Sequence, residues 1–258
     1  METIQIAIPC GSNCEKYVEF LISTIEKTVS DEHQLEYLFG ISHKNVNVSY
    51  LEKIESKFPH RNILMVQPEI SSAGHARTLD SLLDNVSSEY AMFIDCDVSM
   101  LKKDWDIEMK SVLKDDVVIV GSEYVGAKYH NFPNVVVCMF RTKIIKDLGI
   151  SFMPGGNIVI KNQKEAKMYS REIGDQIFLD VGCQLPHKIK TNGYNGCVMP
   201  VFNRKDDSAQ FMTNGLRGTE YQLFGKVIAS HVGRSLTRDF DKNDIIKAWR
   251  KKSLDWLS

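Results

Sequence analysis

Two aspartates separated by one residue, Asp95 and Asp97, directly follow a run of apolar residues at positions 90–94. The run has the length and the aromatic and β-branched content of a buried strand, so we expect both carboxylates to stand where that strand ends. Open α/β sheets bind ligands at the carboxyl ends of their strands. Carboxylate oxygens suit Mg²⁺ or Mn²⁺, and such a cation can neutralise a diphosphate. The structural alternative is that Asp97 caps the next turn and Asp95 is solvated.

This pair is distinguished by its place after an apolar strand, because the Asp-x-Asp pattern itself recurs in the chain. The same pattern occurs as Asp104-Trp105-Asp106 and as Asp239-Phe240-Asp241, and neither copy follows an apolar strand.

A second candidate binding segment, residues 71–80, precedes the apolar run by one predicted helix. Its serines and glycine form an entry to a helix N-terminus, which can receive an anion. Arg77 adds a cation in the first turn, suited to a phosphate or a base carbonyl. The alternative is a surface ion pair of Arg77 with Asp80 or Asp84.

Strands and helices that could position these residues alternate over the first two thirds of the chain. This alternation predicts an α/β fold with a largely parallel sheet and right-handed crossovers. We also expect a short helix at 177–179 and a loop at 203–216. The predicted strands are 4–9, 35–41, 62–66, 90–94, 117–120, 135–140 and 227–230, and the predicted helices are 14–29, 48–58, 74–86, 105–113 and 142–148.

The bulk composition excludes several classes of protein. The 258 residues carry a net charge of −1, which gives no field that would recruit nucleic acid. The chain contains no apolar run of membrane-spanning length and no basic and apolar blocks of a signal peptide, so we expect a cytosolic protein. The six cysteines then indicate free thiols, because their spacing does not repeat as in zinc sites.

The order of these segments resembles the GT-A glycosyltransferases, specifically family 2. The resemblance rests on a strand ending in Ile8-Pro9, a helix carrying Ala76-Arg77, the block 89–97 and a late histidine, and it runs from residue 4 to about residue 98. It implies a Rossmann-like, three-layer α/β/α fold with a mixed central sheet. It also implies metal-dependent, inverting transfer of a sugar from a nucleotide-sugar donor to a hydroxyl of a glycan, lipid-linked or protein acceptor.

The resemblance assigns roles to residues of the metal and donor site. Asp97 and the late His231 would hold the cation, and the imidazole favours Mn²⁺ over Mg²⁺. Asp95, with Cys96 beside it, would contact the ribose or sugar of the donor, and Arg77 would lie by the nucleotide.

The resemblance also implies a pocket for the base and diphosphate of the donor. Pro9 and Gly11 would form the floor under the base. Where the family places acidic residues that read the base, this chain has His43 between a serine and a lysine, so the identity of the base stays open. Arg234 would hold the diphosphate and Ser235 one of its oxygens.

Transfer to a hydroxyl requires a general base. In the family an acid-rich segment after the central helix supplies it, and residues 172–175 match that segment here. Asp175 is the first choice and Glu172 the second. The alternative is that Asp175 caps a helix.

We expect one domain over residues 1–258, with a nucleotide-sugar half (1–100), an acceptor half (101–236) and a C-terminal helix (237–258). The basic amphipathic pattern of that helix fits either peripheral contact with an anionic membrane or docking on its own domain.

Two rival functions remain. One is a sugar-nucleotide nucleotidyltransferase, although residues 9–13 lack a basic phosphate loop, and the other is a non-catalytic nucleotide-sugar-binding module. The sugar, linkage and oligomeric state stay open.

Overall fold

The computed structural model describes residues 1–11, 14–42, 48–58, 61–66, 72–123, 132–154, 170–173, 176–179, 181–213, 216–233 and 242–258. The helices are α1 (Glu15–Thr28), α2 (Val48–Lys57), α3 (Ser72–Asn85), α4 (Trp105–Ser111), α5 (Thr142–Asp147), α6 (Gln184–Thr191) and α7 (Lys242–Trp256). The strands are β1 (Glu2–Cys10), β2 (His33–Ile41), β3 (Arg61–Met65), β4 (Tyr90–Ile94), β5 (Val98–Met100), β6 (Val117–Ser122), β7 (Asn134–Arg141), β8 (Ser170–Ile173), β9 (Gln176–Leu179), β10 (Asn195–Met199), β11 (Val201–Phe202), β12 (Thr219–Leu223) and β13 (Lys226–His231).

Seven of the described strands form the central sheet, in the order β10-β6-β7-β4-β1-β2-β3. Strand β7 runs antiparallel to both of its neighbours, β4 and β6, and the other pairs are parallel. The predicted mixed α/β sheet is therefore confirmed. Strand β4, which leads into Asp95, lies at its centre.

Helices cover both faces of this sheet. Side chains alternate between the faces of a strand, and β1 shows the result. Ile4, Ile6 and Ile8 belong to the hydrophobic cluster that includes residues of α1 and α2, whereas Ala7 belongs to the cluster that includes residues of α3, α5 and α6. Burial on both faces explains why these strands are continuous apolar runs, and it confirms the three-layer arrangement.

A second, antiparallel sheet has the order β11-β12-β13-β5. Its strand β5 begins immediately after Asp97, so the turn after β4 connects the two sheets. In the register of this sheet, Val98 of β5 lies opposite His231 of β13. The second sheet thus carries His231 to the edge of the first.

The prediction of a short helix at 177–179 is wrong. Residues Gln176–Leu179 form strand β9, which pairs antiparallel with β8. A short apolar run fits a strand as well as a helix by its periodicity, and β-branched and aromatic residues such as Ile177 and Phe178 favour the strand.

The second Asp-x-Asp tripeptide is structural. Asp104 is the N-cap residue of α4. Asp106 is fully buried and accepts hydrogen bonds from Ser30 N at 3.0 Å, from Ser30 Oγ at 2.5 Å and from His33 Nδ1 at 2.6 Å. This carboxylate ties α4 to the connection between α1 and β2.

The C-terminal helix α7 docks on its own domain. Trp249 is fully buried, and its Nε1 donates to Ser230 Oγ of β13 at 3.0 Å. Ser253 Oγ lies 3.1 Å from Ser99 Oγ of β5. The docking alternative is therefore confirmed, and membrane contact by this helix stays a prediction. None of the described helices combines the length and apolar character needed to cross a bilayer.

Candidate metal centre

The two aspartates of the predicted site lie in a tight turn between β4 and β5. The backbone N of Asp95 donates to Val136 O of β7 at 2.9 Å, which holds the turn against the neighbouring strand. Val98 N donates to Asp95 O at 3.2 Å and closes the turn. Because the turn is fixed at both ends, its side chains take defined directions.

His231 approaches the same turn from the last position of β13. The backbone joins the two segments, since Val232 N donates to Asp97 O at 3.2 Å. The imidazole Nε2 then lies 3.1 Å from Asp97 Oδ1. One ligand atom from each of Asp95, Asp97 and His231 lies within 4.8 Å of the other two.

This donor set fits a divalent cation. Two carboxylates and one imidazole supply hard oxygen ligands and one nitrogen, a combination suited to Mn²⁺ and acceptable to Mg²⁺. Among the described residues, these are the three metal-binding side chains that converge this closely. Bound there, the cation would supply positive charge beside the carboxyl edge of the sheet.

The electrostatics of the histidine reflect its two acidic neighbours. Burial of the ring acts to lower the pKa of His231, but the charge of Asp97, its hydrogen bond and the charge of Asp95 outweigh burial and raise that pKa above 6.5. Asp97 is only 6% exposed, so water screens this pair weakly. The two carboxylates therefore make this position favourable for positive charge.

The other nitrogen of the imidazole faces a tyrosine that the sequence analysis missed. Tyr221 OH lies 3.4 Å from His231 Nδ1, and Thr219 Oγ1 donates to Tyr221 OH at 3.2 Å. Because Tyr221 is 3% exposed, its hydroxyl is held in place. Metal-binding histidines are generally oriented by a partner at their second nitrogen, and Tyr221 has that position here.

Gly218 is a second residue beside His231 that the sequence analysis did not identify. Its φ is +123°, and a Cβ atom there would lie 2.3 Å from His231 O and 3.0 Å from Val232 Cα. The backbone of the loop before β12 therefore comes so close to β13 that only glycine fits. The sequence signal for both residues was weak, because strand β12 was not recognised.

The predicted donor-binding residues of β1 and α3 lie as follows. Pro9 is buried near the end of β1, which pairs with β4, and Gly11 follows that strand. Arg77 is exposed on α3. Asp80, one of the partners considered for Arg77, accepts hydrogen bonds from Ser151 Oγ at 2.9 Å and from Phe152 N at 2.7 Å. The roles of Pro9, Gly11 and Arg77 stay predictions.

Cys96 differs from its two acidic neighbours in direction. It is 4% exposed, and its Sγ lies 3.0 Å from Cys14 Sγ. The thiol is thus buried against α1, and only the backbone of Cys96 shares the turn with the two carboxylates. Its contact with a donor stays a prediction.

Several predicted residues fall where the structure gives no geometry. His43, Asp175, Arg234 and Ser235 lie outside the described residues, and Glu172 is in β8, where only the backbone is described. The base, nucleobase and diphosphate roles of these residues stay predictions.

Comparison with solved structures identifies the architecture. The mannosyltransferase PcManGT from Pyrobaculum calidifontis, in complex with GDP-Man and Mn2+, superposes with a TM-score of 0.52 and 14% sequence identity over 76% of this chain. The chain has a GT-A glycosyltransferase fold. It spans 54% of the length of that mannosyltransferase.

Other comparisons add no argument to the GT-A assignment. S. aureus TarS 1-349 in complex with UDP-GlcNAc superposes with a TM-score of 0.42 and 16% identity, covering 69% of this chain and 57% of that one. No family model matches the chain, and no curated protein sequence matches it.

Proposed function

We propose that the protein is a metal-dependent glycosyltransferase that uses a nucleotide-sugar donor. The observation that carries this proposal is the convergence of Asp95, Asp97 and His231 at the central carboxyl edge of a GT-A sheet. In an open α/β sheet this edge is the ligand-binding edge. A cation held there would neutralise the diphosphate of the donor as it leaves.

In this proposal the residues of the site have separate roles in binding the cation and the donor. Asp97 and His231 hold the cation, and Asp95 accepts hydrogen bonds from hydroxyls of the ribose or sugar. Pro9 and Gly11 would form the floor under the base, as the resemblance implies, and the pairing of β1 with β4 supports this assignment. Arg77 adds positive charge on the nucleotide side of the site.

In the proposed reaction Asp175 takes the proton of the acceptor hydroxyl as its oxygen attacks the anomeric carbon of the sugar. The new carbon–oxygen bond forms as the bond to the nucleoside diphosphate breaks, so one displacement inverts the anomeric centre. We expect Asp175→Asn to abolish transfer with unchanged donor affinity, and Glu172→Gln tests the second-choice base in the same assay. An active Asp175→Asn variant would refute the base role of Asp175.

Donor binding is tested by thermal shift with GDP, UDP, ADP and their sugars, in Mn²⁺ or in EDTA. We expect one of these nucleotides to raise the melting temperature of the wild type only when the metal is present. The same nucleotide should not raise the melting temperature of Asp97→Asn. Asp104→Asn is the matched control, because it alters the same residue type in a copy of the tripeptide outside the site. Equal stabilisation in EDTA, or an equal loss in Asp104→Asn, would refute the metal role.

The products distinguish the two rivals. A glycosyltransferase releases a nucleoside diphosphate when an acceptor is present, and a nucleotidyltransferase releases pyrophosphate from a nucleoside triphosphate and a sugar phosphate. Metal-dependent binding with no turnover, over glycan, lipid-linked and protein acceptors, would favour the binding module.

A further inference from the structure

Three of the six cysteines converge behind the metal centre. Cys10 ends β1, Cys14 is the N-cap residue of α1, and Cys96 lies between the two aspartates of the turn. The pairing of β1 with β4 brings these segments together. Cys14 Sγ is 3.0 Å from Cys96 Sγ, and Cys10 is also hydrogen-bonded to the Cys14 thiol.

We propose that Cys14 and Cys96 form a reversible disulfide bond and that this bond weakens the binding of a divalent cation by Asp97 and His231. A sulfur–sulfur bond is about 2.05 Å long. The two sulfurs, at 3.0 Å, therefore need to approach by about 1 Å. Formation of the bond does not depend on the proposed function, whereas its effect on the metal does.

The thiols of Cys14 and Cys96 differ in pKa, so we expect them to have different roles in forming the disulfide. Hydrogen bonds from Cys10 and then from Cys96 lower the pKa of Cys14 below its usual value, although burial acts in the opposite direction. A position at the start of a helix is typical of such low-pKa cysteines. Cys14 is therefore the sulfur that reacts first, and Cys96 is the thiol that completes the bond.

With a peroxide as oxidant, the reaction balances in two steps. The Cys14 thiolate attacks one oxygen of hydrogen peroxide, so a sulfur–oxygen bond forms, the oxygen–oxygen bond breaks and hydroxide leaves. The Cys96 sulfur then attacks Cys14, the sulfur–sulfur bond forms and the sulfur–oxygen bond breaks. The oxygen on Cys14 leaves as hydroxide and takes the thiol proton of Cys96, which gives one water. The hydroxide from the first step takes the proton that Cys14 released on ionisation, which gives the second, so one dithiol and one peroxide give one disulfide and two waters. Two equivalents of a small thiol reverse the change.

Burial sets which oxidants can act. Cys14 is 1% exposed and Cys96 is 4% exposed, whereas Cys197 is half-buried. A peroxide is small enough to enter during local opening of the structure. We expect a bulky aromatic disulfide reagent to modify Cys197 well before either member of the pair.

The disulfide would affect the metal site because Cys96 lies between Asp95 and Asp97 in the chain. Pulling its sulfur toward α1 displaces the turn that carries both carboxylates, and metal sites tolerate changes in ligand distance of about 0.2 Å. We expect the disulfide to lower Mn²⁺ affinity by about tenfold or more, as other disturbances next to metal ligands do. By linkage, bound Mn²⁺ must disfavour the disulfide by the same factor.

Peptide mapping tests bond formation. The protein is treated with hydrogen peroxide, alkylated, and digested with trypsin without reductant. We expect tryptic peptides 1–16 and 78–102 to be joined, with a loss of two hydrogen atoms from the intact mass. Because peptide 1–16 contains both Cys10 and Cys14, the joined peptide should persist in Cys10→Ser and disappear in Cys14→Ser.

Two results would overturn the disulfide. One is the absence of a joined peptide in the wild type at peroxide doses that oxidise Cys197. The other is a joined peptide that persists in Cys14→Ser, which would place the bond at Cys10. If a variant fails to fold, fragment ions of the joined wild-type peptide distinguish a bond to Cys14 from a bond to Cys10.

Mn²⁺ titration of the reduced and oxidised wild type tests the coupling. We expect weaker binding only after oxidation, and no effect of peroxide on Mn²⁺ binding by Cys14→Ser. Equal affinity in the two wild-type states would overturn the coupling. If neither state binds Mn²⁺, both the coupling and the proposed metal function fail, and the disulfide is judged by the peptide map alone.

Discussion

Replacing Gly218 with alanine should disable the metal centre through the backbone of β13. The new Cβ would lie 2.3 Å from His231 O, and ordinary contacts begin at 3.4 Å, so this end of β13 must move by about 1 Å. Ligand distances at metal sites tolerate only about 0.2 Å. We therefore expect Mn²⁺ affinity to fall by about ten- to a hundredfold, which corresponds to about 1.4–2.7 kcal/mol.

The matched control is Gly225→Ala, in the turn between β12 and β13. Gly225 has φ +73°, and no atom lies within 4 Å of its added Cβ. Both variants therefore bear the cost of an alanine at positive φ, about 1–3 kcal/mol, and only Gly218→Ala collides with His231. Urea unfolding should show a loss of stability in both variants.

Mn²⁺ titration followed by electron paramagnetic resonance should show a loss of affinity in Gly218→Ala alone, approaching that of His231→Ala. Wild-type affinity in Gly218→Ala would refute the argument that this close approach positions the histidine. An equal loss in Gly225→Ala would assign the effect to general destabilisation.

Three further predictions test single contacts. Tyr221→Phe removes the partner of His231 Nδ1 and should lower Mn²⁺ affinity by about tenfold in calorimetric titration; unchanged affinity would contradict an orienting role. Asp106→Ala leaves buried donors unpaired and should lower the free energy of unfolding in urea by about 3 kcal/mol, with Mn²⁺ affinity unchanged. Burial lowers the pKa of His231, but Asp97 and Asp95 raise it more, so the folded-state pKa lies above 6.5. In the metal-free protein the imidazolium therefore stabilises the fold fully below pH 6.5. This stabilisation is lost as pH rises through the folded-state pKa. Urea midpoints should therefore fall with pH in the wild type above pH 6.5, and this dependence should flatten in Asp97→Asn.

The part of the site that lies on the central sheet could be predicted from the sequence. Strand β4 is an unbroken apolar run because helices cover both of its faces, and the two aspartates mark its polar end. The family resemblance then pointed to His231, which the structure brings to the same turn.

The second sheet could not be predicted in the same way. Strand β5 has three residues, and β12 is the short, half-polar segment Thr219–Leu223, so neither shows a clear period. Tyr221 and Gly218 acquire their positions from the pairing of β12 with β13. This pairing is a tertiary contact that local pattern does not reveal.

The cysteine pair was missed for a related reason. Cys14 and Cys96 are 82 positions apart, and they meet because β1 and β4 are neighbours in the sheet. Their spacing in the chain carries no trace of that adjacency.

The separation of Asp97 and His231 by 134 positions has a consequence for biosynthesis. During translation, residues 1–100 can form the parallel core of the sheet long before residue 231 leaves the ribosome. The pairing of β5 with β13 is a contact of high sequence separation and therefore a late event in folding. Capture of Mn²⁺ by an arrested nascent chain would consequently report that β13 has emerged and has paired with β5.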